Sequence, residues 1–262
     1  MKLNTTGASN VAVGNNALTA NTTGSINTAV GFSALQANIT GTQNVAMGAY
    51  ALYVNTASQN TAVGVEALST STTGGSNVAV GFEAARNSTT AANTTAIGFC
   101  ALRTNTTGTS NTALGQSSLK ANTTANENVA IGQNAMAANT TGASNVAVGQ
   151  AALDANTTAS NNVAIGKSAL GANTTASDNT AVGYLSLCAN TTGFDNSALG
   201  YTSLRANTTG GYNTAVGRQS LRNNTTANNN TAVGYFSLEA NTTGCQNVAV
   251  GNSALRLNTT GK

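Results

Sequence analysis

The chain contains no proline, no tryptophan and no histidine, and only 6% of its residues carry charge. Each absence excludes something. Without histidine there is no Ser-His or Cys-His nucleophile and no ordinary zinc site. The three cysteines, Cys100, Cys188 and Cys245, are odd in number and widely spaced, which supports neither a disulfide framework nor a metal site. No run approaches the ~18 apolar residues of a membrane helix, and no charged-then-apolar segment opens the chain as a secretory signal would. A net charge of +3, without cations and aromatics interleaved on a short stretch, gives no reason to expect a nucleic-acid partner. The expectation is a non-enzyme with no cofactor, no metal, no nucleic-acid partner and no membrane insertion.

What the chain has is a period. Glycine follows an apolar residue at Gly14, Gly31, Gly48, Gly64 and onward to Gly251, always 17 residues apart except for the 16 between Gly48 and Gly64. The result is fifteen copies of Asn-Thr-Thr-(Gly/Ala)-x-x-Asn-(Val/Thr)-Ala-(Val/Ile)-Gly-x-x-(Ala/Ser)-Leu-x-Ala over residues 1–262, with one deletion near residues 55–60. Low charge with few aromatics can signal disorder, but apolar residues on so strict a schedule can be buried in register. Asn-Thr-Thr-Gly and the β-branched run oppose helix, while Asn-Val-Ala-Val-Gly alternates with the period of a strand. With Ala-Leu-x-Ala as a second short strand, each repeat reads as one coil. The predicted fold is therefore all-β, a parallel β-solenoid (β-roll) of fifteen 17-residue coils without capping repeats, forming a single domain.

In a solenoid each position of the repeat becomes a column, numbered here from the Asn at residue 4. Position 10 is always a sizeable apolar residue and position 15 is almost always Leu. The predicted core is thus Val13, Val30, Ile97, Ile131 and Val250 together with Leu18, Leu35, Leu102, Leu153 and Leu255. Position 9 is Ala in all fifteen copies and position 11 always Gly, so positions 7, 9 and 11 form a face of small residues. Ala12, Ala29, Ala46, Ala147 and Ala249 on this face are candidates for close contact with another copy of the protein. The alternative is a flattened coil whose own second wall covers them. The Asn and Thr columns suit ladders of side-chain hydrogen bonds along the stack, a better account of the recurring Asn-Thr-Thr than sugar attachment.

The variable columns carry the chemistry. Position 12 stacks Phe82 over Phe99 and Tyr184 over Tyr201, and position 16 carries Arg86 and Arg103, forming candidate surface-binding columns for glycans or anionic polymers. Glu66 and Glu83 share a column, as do Asp178 and Asp195, at the ~5 Å separation of retaining glycosidases. Those columns are convex, and no pocket is expected. Ice binding calls for ordered Thr columns, but the two Thr of each repeat are consecutive and should point to opposite faces.

The run seen as Asn10-Val11-Ala12-Val13-Gly14, Asn128-Val129-Ala130-Ile131-Gly132 and Asn162-Val163-Ala164-Ile165-Gly166 resembles the head repeats of trimeric autotransporter adhesins. Similar Asn-Thr-Thr-Gly…Ala-Val-Gly…Ala-Leu repeats also look like shaft segments of phage tail-fibre-like proteins. The resemblance implies a left-handed β-roll, trimers and a place on a cell surface or virion. The unit here is longer than the adhesin repeat, and neither stalk nor anchor accompanies it. The chain opens and closes at the same corner of the coil, so coils of successive copies can be expected to stack head-to-tail. The functional expectation is a structural, self-assembling extracellular or virion fibre. Alternatives are the shaft of a trimeric adhesin or tail fibre that binds surface glycans and, further off, an ice-binding protein.

Overall fold

The computed structural model describes residues 2–261. The described residues contain no helix and fifteen short parallel strands, one per repeat, arranged as a β-solenoid. Two compact units of the same coil design make up the chain, Met1–Asn128 and Val129–Lys262. The first holds β1 (Val11–Val13), β2 (Thr28–Val30), β3 (Val45–Met47), β4 (Thr61–Val63), β5 (Val78–Val80), β6 (Thr95–Ile97) and β7 (Thr112–Leu114). The second holds β8 (Val129–Ile131), β9 (Val146–Val148), β10 (Val163–Ile165), β11 (Thr180–Val182), β12 (Ser197–Leu199), β13 (Thr214–Val216), β14 (Thr231–Val233) and β15 (Val248–Val250). Within each unit every strand pairs in register with the next, as in Ala12 with Ala29 and Ala164 with Ala181. The shortened coil keeps that register: β4 pairs Val45 with Thr61, and Leu68 stays fully buried.

Alternation places positions 7, 9 and 11 on one face as expected, but that face points inward. Ala29, Ala46 and Ala147 are fully buried and Ala249 nearly so, so the small-residue column is core rather than a self-association face. Ala12, in the first coil, is half-buried. The position-10 residues assigned to the core lie outside: Val13 is 56% exposed, Val250 70% and Ile97 36%, while Val30 and Ile131 are half-buried. The physical reason is the spacing of the coil's two walls. In the second unit the Ser186 and Ser220 hydroxyls at position 14 donate directly to the Ala198 and Ala232 carbonyls of the following strand, at 3.0 and 2.9 Å. Walls that close leave room for Ala but not for Val. The flattened coil is the arrangement found.

Position 15 is core as predicted. Leu18, Leu35, Leu102 and Leu153 are completely buried, each worth about 1.5–3 kcal/mol. Leu255 is the exception at 52% exposed, because no described coil stacks beyond it.

The segment that carries these leucines is not a second strand. Positions 13 and 15 adopt left-handed backbone, as in Ser33 (φ 54°) and Leu35 (φ 53°), so the wall folds as a ladder of tight turns. Its amides still bond between coils: Ser33 donates to the Asn15 carbonyl of the preceding coil, and Leu35 and Ala37 donate to Ala51 and Tyr53 of the following one. Left-handed backbone costs a leucine ~1–2 kcal/mol, which burial of its side chain offsets.

Two asparagine columns complete the interior. At position 1, Asn21 donates to its own coil's Gly24 carbonyl (2.9 Å) and to Asn4 Oδ1 (2.8 Å), and Asn38 then donates to Asn21 Oδ1 (3.0 Å). At position 7, Asn162 Oδ1 accepts the backbone N–H of Asn179 (3.0 Å), while its amide donates to the Ala176 carbonyl (3.0 Å). The amides in the Asn-Thr-Thr sites of the inner coils are therefore buried and bonded, out of reach of sugar attachment in the folded protein.

The position-1 ladder is interrupted around the short coil. Asn38 Oδ1 and Ser88 Oγ are buried without a hydrogen-bond partner, and Ser71 and Ser88 stand where the column otherwise has Asn. Ser88→Asn should restore a donor toward the Ala91 carbonyl and an acceptor for Asn105. The expected stabilisation is about 1 kcal/mol, read from the midpoint of urea denaturation.

Candidate functional site

Two surfaces are candidates for a functional site. One is the outward face of the strand wall, made of positions 8 and 10. It consists of Val, Thr and Ser at position 8 and Val, Ile, Leu and Met at position 10, without a single charge in fifteen repeats. Leu199 is half exposed, and Met47, Leu114 and Ile165 are also open to solvent. The face follows from the coil's geometry: with Asn (Thr94 in one repeat), Ala and Gly inside, pleating leaves the side chains of positions 8 and 10 outside. Sequence reasoning assigned these residues to the core. The signal it lacked was wall separation, which no repeat pattern reports.

The other surface is the turn-ladder wall, where the aromatic side chains of position 12 are exposed and position 13 ranges from buried (Ser33, Cys100, Thr202) to exposed (Tyr50). Phe82, Phe99, Tyr184 and Tyr201 are exposed, and the expected stacks are present: Phe82 on Phe99 at 5.4 Å and 11°, Tyr184 on Tyr201 at 5.4 Å and 18°. The Arg218 guanidinium lies 5.5 Å from the Tyr201 ring and 5.7 Å from Tyr235, which extends that column. Rings stacked along the column use their faces against one another and offer mainly edges outward. Sugar stacking needs an open ring face, so the paired rings make a poor glycan platform.

Arg86 and Arg103 are engaged with the carboxylates beside them. Arg86 pairs with Glu66 (2.6 Å) and Glu83 (3.3 Å), and Arg103 pairs with Glu83 (2.6 Å). The Glu66–Glu83 pair, weighed above as a carboxylate dyad, is thus bridged by a guanidinium. Asp178, of the other pair, accepts a hydrogen bond from the Asn161 amide (3.1 Å). A groove of about 340 Å³ lies against Glu66, lined also by Tyr50, Tyr53, Ser69, Thr70 and Arg86. In the second unit a groove of about 300 Å³ is lined by Cys188, Ala189, Arg205, Ala206, Arg222 and Asn223.

Asn-Thr-Thr forms a corner and not a strand. The position-2 hydroxyl of Thr22 donates to the Ile39 carbonyl of the next coil (3.2 Å), and Thr23 is exposed.

The described residues hold no group of three or more His, Cys, Asp or Glu placed to bind a metal. All three cysteines are free. Burial pushes the Cys100 thiol up, with the nearby Glu83 carboxylate adding to it; burial also pushes Cys188 up, partly opposed by Arg205. A raised thiol pKa keeps the reactive thiolate scarce at neutral pH. Iodoacetamide should therefore label both residues more slowly than free cysteine at pH 7.5, and their rates should go on rising at pH values where free cysteine has levelled off. Peptide mapping by mass spectrometry reads both.

No helix among the described residues is long and apolar enough to cross a membrane. A scan of the chain against protein-family models gave no match, and a search among curated proteins gave none either.

Proposed function

We propose that the protein is a structural, self-assembling fibre component whose copies pack side by side through their strand walls. The carrying observation is the uncharged apolar face formed by positions 8 and 10 in every repeat. Each coil adds a strip of roughly 50 Å² to this face, given stacking at ~4.8 Å and a width of ~10 Å. The seven strips of the first unit come to roughly 350 Å² and the eight of the second to roughly 400 Å², each about half of the ~800 Å² that one partner contributes to a standard protein interface. Soluble monomers rarely leave a contiguous apolar face of several hundred Å² uncovered. A second copy is the occupant that fits best, because its face carries the same ~4.8 Å corrugation and no charge to desolvate.

This reading moves the lateral contact from the alanine column to the β-branched columns. Head-to-tail stacking is the second direction of assembly in the same proposal, since backbone hydrogen bonds between coils run along the stack. An extracellular or virion fibre is the setting that suits such a molecule. A glycan-binding adhesin shaft is supported less well, because the stacked rings present edges and Arg86 and Arg103 are paired with carboxylates.

The test is mass in solution. Sedimentation or light scattering should find a multimer whose mass exceeds that of one chain, and Ile165→Lys with Leu199→Lys should shift it to monomer with the circular dichroism spectrum unchanged. A wild-type protein that stays monomeric across a wide concentration range would overturn the proposal.

A further inference from the structure

The two units treat the same columns differently. In the first, the cations of position 16 face carboxylates at position 13: Arg86 and Arg103 pair with Glu66 and Glu83. In the second, Arg205 and Arg222 occupy position 16 of successive coils, but position 13 there offers Leu185, Thr202 and Gln219. Among the described residues Arg205 pairs with no carboxylate, and Arg222 reaches Glu239 only at 3.7 Å, while Glu239 is held closer, at 2.8 Å, by Arg256. Two guanidinium groups one coil apart, ~4.8 Å along the stack, therefore sit side by side with little compensation.

They sit on a groove. Besides the two arginines it is lined by Ala189 and Ala206, small enough to let a ligand approach the backbone, and by Cys188 and Asn223. Burial keeps the Cys188 thiol protonated at neutral pH, so it adds no opposing charge. An Arg pair is suited to bridging one oxyanion, each guanidinium donating two parallel hydrogen bonds. The groove's volume of about 300 Å³ exceeds what one oxyanion needs and falls at the lower end of small-ligand sites. The two alanines suit a carbon skeleton, and the Asn223 amide suits a hydroxyl.

We infer that this groove is a receptor for an acidic sugar, its carboxylate or sulfate held between Arg205 and Arg222 and its ring lying over Ala189 and Ala206. The site is independent of the strand-wall contact, which uses the opposite wall of the coil.

The experiment is a calorimetric titration of the intact chain at low salt with a sulfated disaccharide, a uronic-acid disaccharide and inorganic sulfate. Saturable binding of one of the sugars is expected, weakened at least ~10-fold by Arg205→Gln and weakened further when Arg222→Gln is added. Both side chains are at the surface, so folding is preserved, as circular dichroism will check. Arg103→Gln, which removes a carboxylate-paired cation of the first unit, should leave affinity unchanged. Absence of saturable sugar binding overturns the inference. So does equal loss with Arg103→Gln, which would mark diffuse charge attraction, or inorganic sulfate binding as tightly as both sugars, which would mark a bare anion site.

Discussion

Gly166→Ala is expected to destabilise the second unit by on the order of 4 kcal/mol, combining backbone strain with close contact. Gly166 has φ +129°, a conformation L residues rarely adopt. A β-carbon there would also lie 2.5 Å from the Gly183 carbonyl oxygen and 2.7 Å from its carbonyl carbon in the next coil. Neither atom can move without shifting a backbone that is itself held by the following coil. The comparison that isolates this effect is Gly193→Ala. Gly193 occupies position 4 and has no left-handed φ. A β-carbon there would come as close to backbone, at the Gly210 carbonyl oxygen, but Ala159 and Ala176 stand at the same position of preceding coils, so this contact can be relieved and the added methyl should cost less. Urea denaturation of the two variants isolates the backbone conformation: a large drop for the first beside a smaller one for the second is the expected result, and equal drops would mean that the left-handed φ of position 11 is not what bars a side chain there.

The second large effect concerns the buried ladder. Asn179 is fully buried with all its hydrogen-bonding capacity used. Its amide donates to the carbonyls of Ser177 (3.1 Å) and Gly193 (3.0 Å), and its Oδ1 accepts from the backbone N–H and the side-chain amide of Asn196 (3.0 and 3.2 Å). Asn179→Asp keeps the shape but replaces two donors by an acceptor facing two carbonyls. At neutral pH the expected loss is about 3–5 kcal/mol, the cost of an uncompensated buried charge. The pH dependence follows from linkage. Burial raises the introduced carboxyl's pKa in the folded state above its unfolded value, so the penalty shrinks as pH falls through the folded value and the group regains a donor. Measured against wild type, the stability difference should therefore be larger at pH 7 than at pH 4. A difference that stays constant with pH would show that the carboxyl is not buried as a charge.

The substitutions within the repeat explain why the ladder matters. Ser71 and Ser88 interrupt it in the two coils that follow the shortened corner, beside Ala85 in place of Leu and the Glu66–Arg86–Glu83–Arg103 ion-pair series. Those ion pairs lie at a partly exposed surface, where each contributes only ~0.2–1 kcal/mol.

How much could be read beforehand divides along a physical line. The period of 17 sets one coil per repeat, and the Asn-Val-Ala-Val-Gly alternation locates its strand to the residue, because strand period and repeat period are local properties of the chain. The leucine column was legible for the same reason: a large apolar residue recurring at one position must be buried against its copies. The stacking of Phe82 on Phe99 follows from the period alone, since equal positions in successive coils fall at the strand spacing.

The sequence by itself thus determined the parallel β-solenoid, its register and the identity of every column. Only the tertiary structure decided which face of the strand is inside, because alternation says that Asn10, Ala12 and Gly14 share a side without saying which side the opposite wall occupies. That wall comes close enough for a serine hydroxyl at position 14 to reach the strand's carbonyls, and at that distance alanine fits and valine does not. The structure also shows Leu35 and its counterparts in left-handed backbone, so that the expected second strand is a ladder of turns, and it leaves Val13, Ile165 and Leu199 on the surface, where the proposed assembly finds its contact.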